Sequence, residues 1–225
     1  GFLTAGLAHE IRNPLGAIRG GAELLGTPQV EPARVSRVAE LLIRESDRLD
    51  GVLTRFLRFA RREAGPMEAA NLSDLVDEVV ALVEAEAGQR GVEVSHVRCS
   101  ATPTVLLDTG ALRQVILNLV VNAMQVQPEG GRIRLLSGLD EGGGARPLFA
   151  RVEDAGPGVP ADQRAAIFHP YFSTRPDGTG LGLAISQRAV SEHGGVLRVG
   201  DGALGGAAFE LRLPMNRETE EADDA

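Results

Sequence analysis

The stretch Gly6-Leu7-Ala8-His9-Glu10-Ile11-Arg12-Asn13-Pro14-Leu15 decides how the N-terminal part of this chain folds. At about 100° per residue, Leu7, Ile11, Leu15, Ile18, Ala22 and Leu25 fall on one stripe of a helix, and His9 points to roughly the opposite side. Asn13, one turn on, shares the side of His9. An imidazole, an adjoining carboxylate and an amide on a polar helix face are a poor way to fill a core and a good way to present a nucleophile.

Outward from that stretch, the pattern predicts a helix over residues 2–26, ended by Gly26-Thr27-Pro28, and a second over 32–63 that Pro32 suits as a start. In the second, Val35, Val38, Leu42, Leu49, Val52, Leu53, Phe56 and Ala60 form an apolar stripe at spacings of three and four. Two helices alone leave such stripes partly wet, whereas two copies of the hairpin close a four-helix bundle, so a homodimer is expected. Pro14 removes a backbone donor inside the first helix and is expected to bend it just after His9, at a cost of about 3 kcal/mol in an undisturbed helix.

Glu63-Ala64-Gly65-Pro66-Met67 breaks the helical period and reads as a linker, placing a boundary near 66. The expected organisation is a hairpin domain over 1–65, a second domain over 66–214 and an acidic tail over 215–225. In the second domain, helices are predicted over Leu72 to Gly88, Gly110 to Val126, near Ala161 to Ile167, and over Leu181 to His193. Strands are predicted at Val92 to Arg98, Thr104 to Leu107, Arg132 to Gly138, Pro147 to Asp154, Val196 to Val199 and Ala207 to Leu213, with Gly142-Gly143-Gly144 as a hairpin loop. The fold class is α+β, with helices on one face of a sheet.

A net charge of -8 offers no basic stripe to neutralise a phosphate backbone, so nucleic acid is not an expected partner. Every basic side chain is arginine, which removes the lysine of a P-loop. Cys99 stands alone, which excludes an internal disulfide and a cysteine-built metal site; it is read as a buried thiol in a strand. No apolar run reaches the 18 or so residues of a membrane span, so no membrane contact is expected and a cytoplasmic location follows. Opening on Gly1 within a helical pattern, the chain reads as part of a longer protein whose remainder holds the input and could carry a membrane anchor.

Three further motifs follow in order: Asn118-Leu119-Val120-Val121-Asn122, then Asp154-Ala155-Gly156-Pro157-Gly158, then Gly178-Thr179-Gly180-Leu181-Gly182-Leu183. Asn118 and Asn122, four apart, project from one helix face and offer carbonyl oxygens to a hard cation. Asp154 ends an apolar strand where glycines let a flat ligand approach the backbone. Gly178, Gly180 and Gly182 precede a helix, whose free N–H groups and positive end favour an anionic phosphate. The spacing G-x-G-x-G fits neither the dinucleotide fingerprint nor a P-loop.

Together with His9 these motifs resemble the catalytic core of the sensor histidine kinases of two-component systems, including the nitrogen-regulation subgroup. The resemblance spans residues 2–214. It implies a Bergerat-type, α/β-sandwich ATP-binding domain after a dimeric four-helix bundle, with ATP and Mg2+ as cofactors. It implies that Asn118 and Asn122 hold the metal, that Asp154 accepts from the adenine amino group beside Gly156 and Gly158, and that Ser173 to Gly178, with Thr174 and Arg175, forms a short ATP lid. The phosphates then meet Gly178, Thr179, Gly180, Leu181 and Gly182. His9 is implied to be the phosphorylated residue, with Glu10 accepting the hydrogen bond of its other ring nitrogen. The phosphoryl group is implied to pass to an aspartate of a response-regulator receiver domain, and Asn13, in the pattern H-E-x-x-N, to support phosphatase activity toward that regulator.

The chain departs from the family where a lysine is common: it has Gln125, as some nitrogen-regulation members do, and Arg175 is the nearest candidate replacement. Ile167-Phe168-His169-Pro170-Tyr171-Phe172 is read as an anchor of the lid in the core, without chemistry for His169. His96 and His193 are read as structural. Two alternatives stay open on the residues alone, an ATPase of the wider superfamily of chaperones and gyrases, and a dimerisation scaffold that binds no nucleotide.

Overall fold

The structure is a computed structural model that describes residues 2–26, 31–60, 65–127, 130–140, 142, 144–175 and 180–215; side chains at 2–10, 32–33 and 52–60 lie outside the described set. It divides into two compact units, residues 1–62 with His169–Leu181, and residues 63–168 with 182–225.

The first unit holds helix α1 (Phe2–Leu25), which continues through Pro14, and helix α2 (Pro32–Ala60). Pro14 and Gly21 are buried on α1, and Gly21 packs against Val38 and Leu42 of α2. The apolar residues then run short of partners: Leu15, Leu24, Val35 and Ile43 remain exposed, Ile43 at 62%. The expected stripe of α1 is therefore split, with Ile18 and Leu25 partly covered while Leu15 and Ala22 are open.

The second unit is a five-stranded mixed sheet, in the order β2-β4-β5-β7-β6, with α3, α4 and α5 packed on it. Its elements are β1 (Glu68–Asn71), α3 (Leu72–Gln89), β2 (Glu93–Arg98), β3 (Thr104–Leu107), α4 (Thr109–Val126), β4 (Arg132–Leu139), β5 (Leu148–Asp154), α5 (Gly182–Glu192), β6 (Val196–Asp201) and β7 (Ala207–Leu213). Side-chain alternation, the period of a pleated strand, sets the two faces. Ile133, Leu135, Ala150, Val152, Phe209 and Leu211 point to the helices and are buried. The opposite face pairs Arg134 with Glu153 at 2.6 Å and Arg151 with Glu210, opposites in register across the strands.

Local chemistry starts the helices. Asn71 caps α3, its side chain accepting from the Ser73 N–H at 2.9 Å, and Asp108 caps α4, accepting from the Ala111 N–H at 2.9 Å. A second oxygen of Asp108 accepts from the Gly65 N–H at 2.6 Å, tying the segment that enters this unit to the start of α4. The His193 ring also joins there. Its Nε2 accepts from the Asp108 N–H at 3.1 Å and its Nδ1 donates to the Ala189 carbonyl at 2.7 Å, which fixes the neutral tautomer.

Two expectations need correction. Cys99 is exposed rather than buried, because it lies one residue past β2, at the edge of the sheet. The helix near Ala161 to Ile167 is a run of turns closed by a single 3-10 turn, Ala166–Phe168; between Pro160 and Pro170 there is no room for a stable longer helix. Strand β1 was not foreseen; it pairs antiparallel with β3 to form a separate two-stranded sheet.

Candidate functional site

Helix α4 carries the polar row of the second unit. Asn118 and Asn122 make up this row, one turn apart, and Val126 follows them on the same face, which spans about 12 Å from Asn118 to Val126. Both asparagines are half-buried. At one end Asn118 meets the first turn of α5: its Nδ2 donates to Ser186 Oγ at 3.0 Å, and its Oδ1 lies where a Cβ on Gly182 would stand, 2.5 Å away. At the other end Val126 closes against Gly156, in the turn that follows Asp154.

Asp154 ends β5 on the helix-facing side of the sheet, opposite Ile133 of β4, and is only 3% exposed. Its Oδ1 accepts from the Gly156 N–H at 2.8 Å and the Ala207 N–H at 3.1 Å. Burial pushes its pKa up, against the pull of those two N–H donors. Among the described residues none donates to Oδ2, so a carboxylate oxygen is left for a ligand's N–H. The Gly206 N–H donates to the Asp154 carbonyl at 3.0 Å and completes the clasp. Gly158 lies in the turn beyond Gly156.

The first unit holds the remaining predicted residues. His9, Glu10 and Asn13 lie on α1, within about one turn of each other; Asn13 is exposed, and the side chains of His9 and Glu10 lie outside the described residues. In the segment His169–Leu181, the Tyr171 N–H donates to the Gly180 carbonyl at 2.9 Å and closes the base of a loop. Within that loop Thr174 and Arg175 are exposed, and the Arg175 N–H donates to Ser173 Oγ at 3.1 Å. Leu181 is fully buried. Gly178 and Thr179 lie outside the described residues.

The site therefore gathers Asn118, Asn122, Asp154, Gly156 and Gly182 along α4. Three residues of this arrangement escaped the sequence reading: Ser186, Gly206 and Ala207. Ser186 sits one turn after Gly182 on the helix the motif opens, and the Gly205-Gly206 pair just before β7 is the signal that could have found the others. Gln125 is exposed. Phe168 is buried edge-to-face on Phe209, ring centres 6.5 Å apart, which fits an anchor and leaves no face for a ligand. His96 is built into the fold, its Nδ1 at 2.5 Å from Asp77 Oδ1 and its Nε2 at 2.8 Å from Ser137 Oγ. His169 is exposed.

A set of Asn carbonyls suits a hard cation that takes its other ligands from phosphates and water. No group of three or more His, Cys, Asp or Glu that could hold a metal by itself occurs among the described residues. No helix among them is long and apolar enough to cross a membrane.

Known proteins match the chain at both ends. Residues 1–65 match the model of the His Kinase A (phospho-acceptor) domain, and residues 107–217 match that of the histidine kinase-, DNA gyrase B- and HSP90-like ATPases. Sensor histidine kinase ZraS of Escherichia coli (strain K12) is 35% identical over 216 residues, 96% of this chain and 46% of that protein. The sensory histidine kinase/phosphatase NtrB of Vibrio alginolyticus is 35% identical over 224 residues, 96% of this chain and 63% of that protein. Among solved structures, histidine kinase ThkA in complex with response regulator protein TrrA superposes with a TM-score of 0.78 at 26% identity, covering 97% of this chain and 63% of that one. The chain thus spans about half the length of ZraS. With a phospho-acceptor hairpin ahead of an ATPase fold, and relatives aligned across both, it belongs to the sensor histidine kinase family.

Proposed function

We propose that this chain is the catalytic core of a homodimeric, two-component sensor kinase that autophosphorylates His9 from ATP and passes the phosphoryl group to an aspartate of a response-regulator receiver domain. The observation that carries the reading is the polar row of α4, set between the α5 start and buried Asp154. It offers a cation site on the same helix face that leads to a carboxylate suited to adenine. Residues 1–65 act as the dimerising phospho-acceptor and 66–214 as the ATP-binding domain, with 215–225 a tail. The exposed Leu15, Leu24, Val35 and Ile43 support dimerisation through the hairpin. Its place of action is the cytoplasm.

Asp154, with Gly156 and Gly158, receives the adenine, its free oxygen accepting from the exocyclic amine. Asn118 and Asn122 hold Mg2+, which when bound neutralises charge on the phosphates as it develops. Thr174 and Arg175 serve in the lid, with Arg175 supplying a cationic contact in place of the lysine replaced by Gln125. Gly178, Thr179, Gly180, Leu181 and Gly182 present backbone N–H groups to the phosphates. A neutral nitrogen of His9 attacks the γ-phosphorus, a P–N bond forms as the P–O bond to ADP breaks, and Glu10 accepts the hydrogen bond from the other ring nitrogen.

Asn13, one turn from His9, orients water toward the regulator's aspartyl phosphate, so the core also acts as a phosphatase. The NtrB relative is named a kinase/phosphatase, which supports this direction. Incubation with γ-labelled ATP and Mg2+ is expected to give acid-labile, alkali-stable label that a receiver domain removes and that His9→Gln abolishes. Undiminished label in His9→Gln contradicts the assignment.

A further inference from the structure

Resting on Asn118 as a cation ligand, the geometry points to Ser186 as the residue that holds that amide in place against the helix start that sets which of its atoms faces the cation. The Asn118 side chain is held from two places on one helix. Ser186 and Gly182 stand one turn apart on α5, and the amide lies along that turn with Nδ2 on Ser186 Oγ at 3.0 Å and Oδ1 beside Gly182. Ser186 is 2% exposed, so its oxygen has little access to water and the amide is a partner it needs.

An amide has two ends of opposite sign, and only one can bind a cation. Turned by 180°, Asn118 would set an NH2 group toward the cation and repel it. The start of α5 opposes that turn: its unsatisfied N–H groups favour an oxygen over an NH2 beside Gly182, while the Ser186 hydroxyl, able to pair with either end of the amide, holds the side chain within their reach. Gly182 contributes by lacking a side chain, since a Cβ would occupy the space of Oδ1. Its absence of bulk thus serves Asn118 as well as any phosphate. Ser186 is a positioning residue: it acts on the metal through Asn118.

The test is ATP binding by the intact chain, measured by equilibrium dialysis with Mg2+ and again with EDTA in place of metal. Ser186→Ala is expected to cut the Mg2+-dependent gain in affinity about fivefold to tenfold, the worth of one buried orienting hydrogen bond, and to leave the EDTA affinity within about twofold of wild type. Gly182→Ala is expected to lose the same metal-dependent gain. Equal losses with Mg2+ and EDTA in Ser186→Ala would show a merely structural role and overturn the proposal, as would a full Mg2+ gain. If Asn118→Ala loses the gain while Ser186→Ala keeps it, this inference alone falls. If wild type gains nothing from Mg2+, the reading of Asn118 falls and this inference with it.

Discussion

The hairpin and the ATPase-like unit solve the same burial problem to different degrees. In the second unit Leu72, Leu112, Ile116, Leu119, Ile133, Leu135, Leu148 and Leu211 are each at most 1% exposed, so the sheet and its helices form a finished core. In the hairpin Val38 is the one large apolar side chain below a tenth exposed among the described residues, while Leu15, Leu24, Val35 and Ile43 stand at 40% or more. One region closes its core within a single chain, and the other leaves apolar surface open among its described residues. A helix pair with such a surface fits the dimeric bundle proposed above.

The most disruptive way to probe the contrast is Leu112→Ala. It is expected to destabilise the second unit by about 2–5 kcal/mol in denaturant unfolding, since a fully buried leucine leaves a cavity. If Leu15→Ala in the hairpin costs as much, the contrast fails. Ile43→Asp is next: it is expected to shift the chain toward monomer in sedimentation by about 1–3 kcal/mol of association energy, through a charge buried without a partner, while ATP affinity stays unchanged. An unaltered dimer would place the interface elsewhere.

Asp154→Asn separates function from stability within the finished core. Burial raises the folded-state pKa of Asp154, so the ionised form weakens the fold at neutral pH; its favourable contribution exists below the unfolded value and is lost as pH rises through the folded one. The variant keeps an oxygen for the Gly156 and Ala207 N–H groups. It is expected to raise Tm by about 2–4 °C, on the order of 1 kcal/mol, while losing ATP binding. A lowered Tm contradicts this account of the site.

Asp77 has the opposite sign and the smallest effect. The hydrogen bond with His96 first, and Arg98 second, hold its carboxylate below the usual range. Its stabilisation is therefore present above the unfolded value near pH 4 and fades as pH falls through the lower folded value. Asp77 is half exposed, so Asp77→Asn is expected to cost less than about 1 kcal/mol at pH 7, with the two proteins converging in acid.

Periodicity made most of this legible. The two hairpin helices, α3, α4, α5 and the strands β2 to β7 emerge within a few residues of the expected bounds, because each buries a face repeating at 3.6 or 2 residues. Strand β1 escaped for the same reason: Glu-Ala-Ala-Asn has no such repeat, and β3 makes it a strand. At the site, the motifs exposed the asparagines and Asp154, whose types and spacing carry chemistry. Ser186 did not stand out, since a serine in a helix acquires meaning only when another helix brings an amide to it.

The division of labour between the two regions is tested most directly by locating the phosphoryl group. The four histidines, His9, His96, His169 and His193, fall in four different arginine-bounded peptides. After incubation with γ-labelled ATP and Mg2+ and digestion above neutral pH, the account predicts label on the peptide of residues 1–12, which holds His9. Label on any peptide of the ATPase-like unit, with residues 1–12 unlabelled, would contradict it.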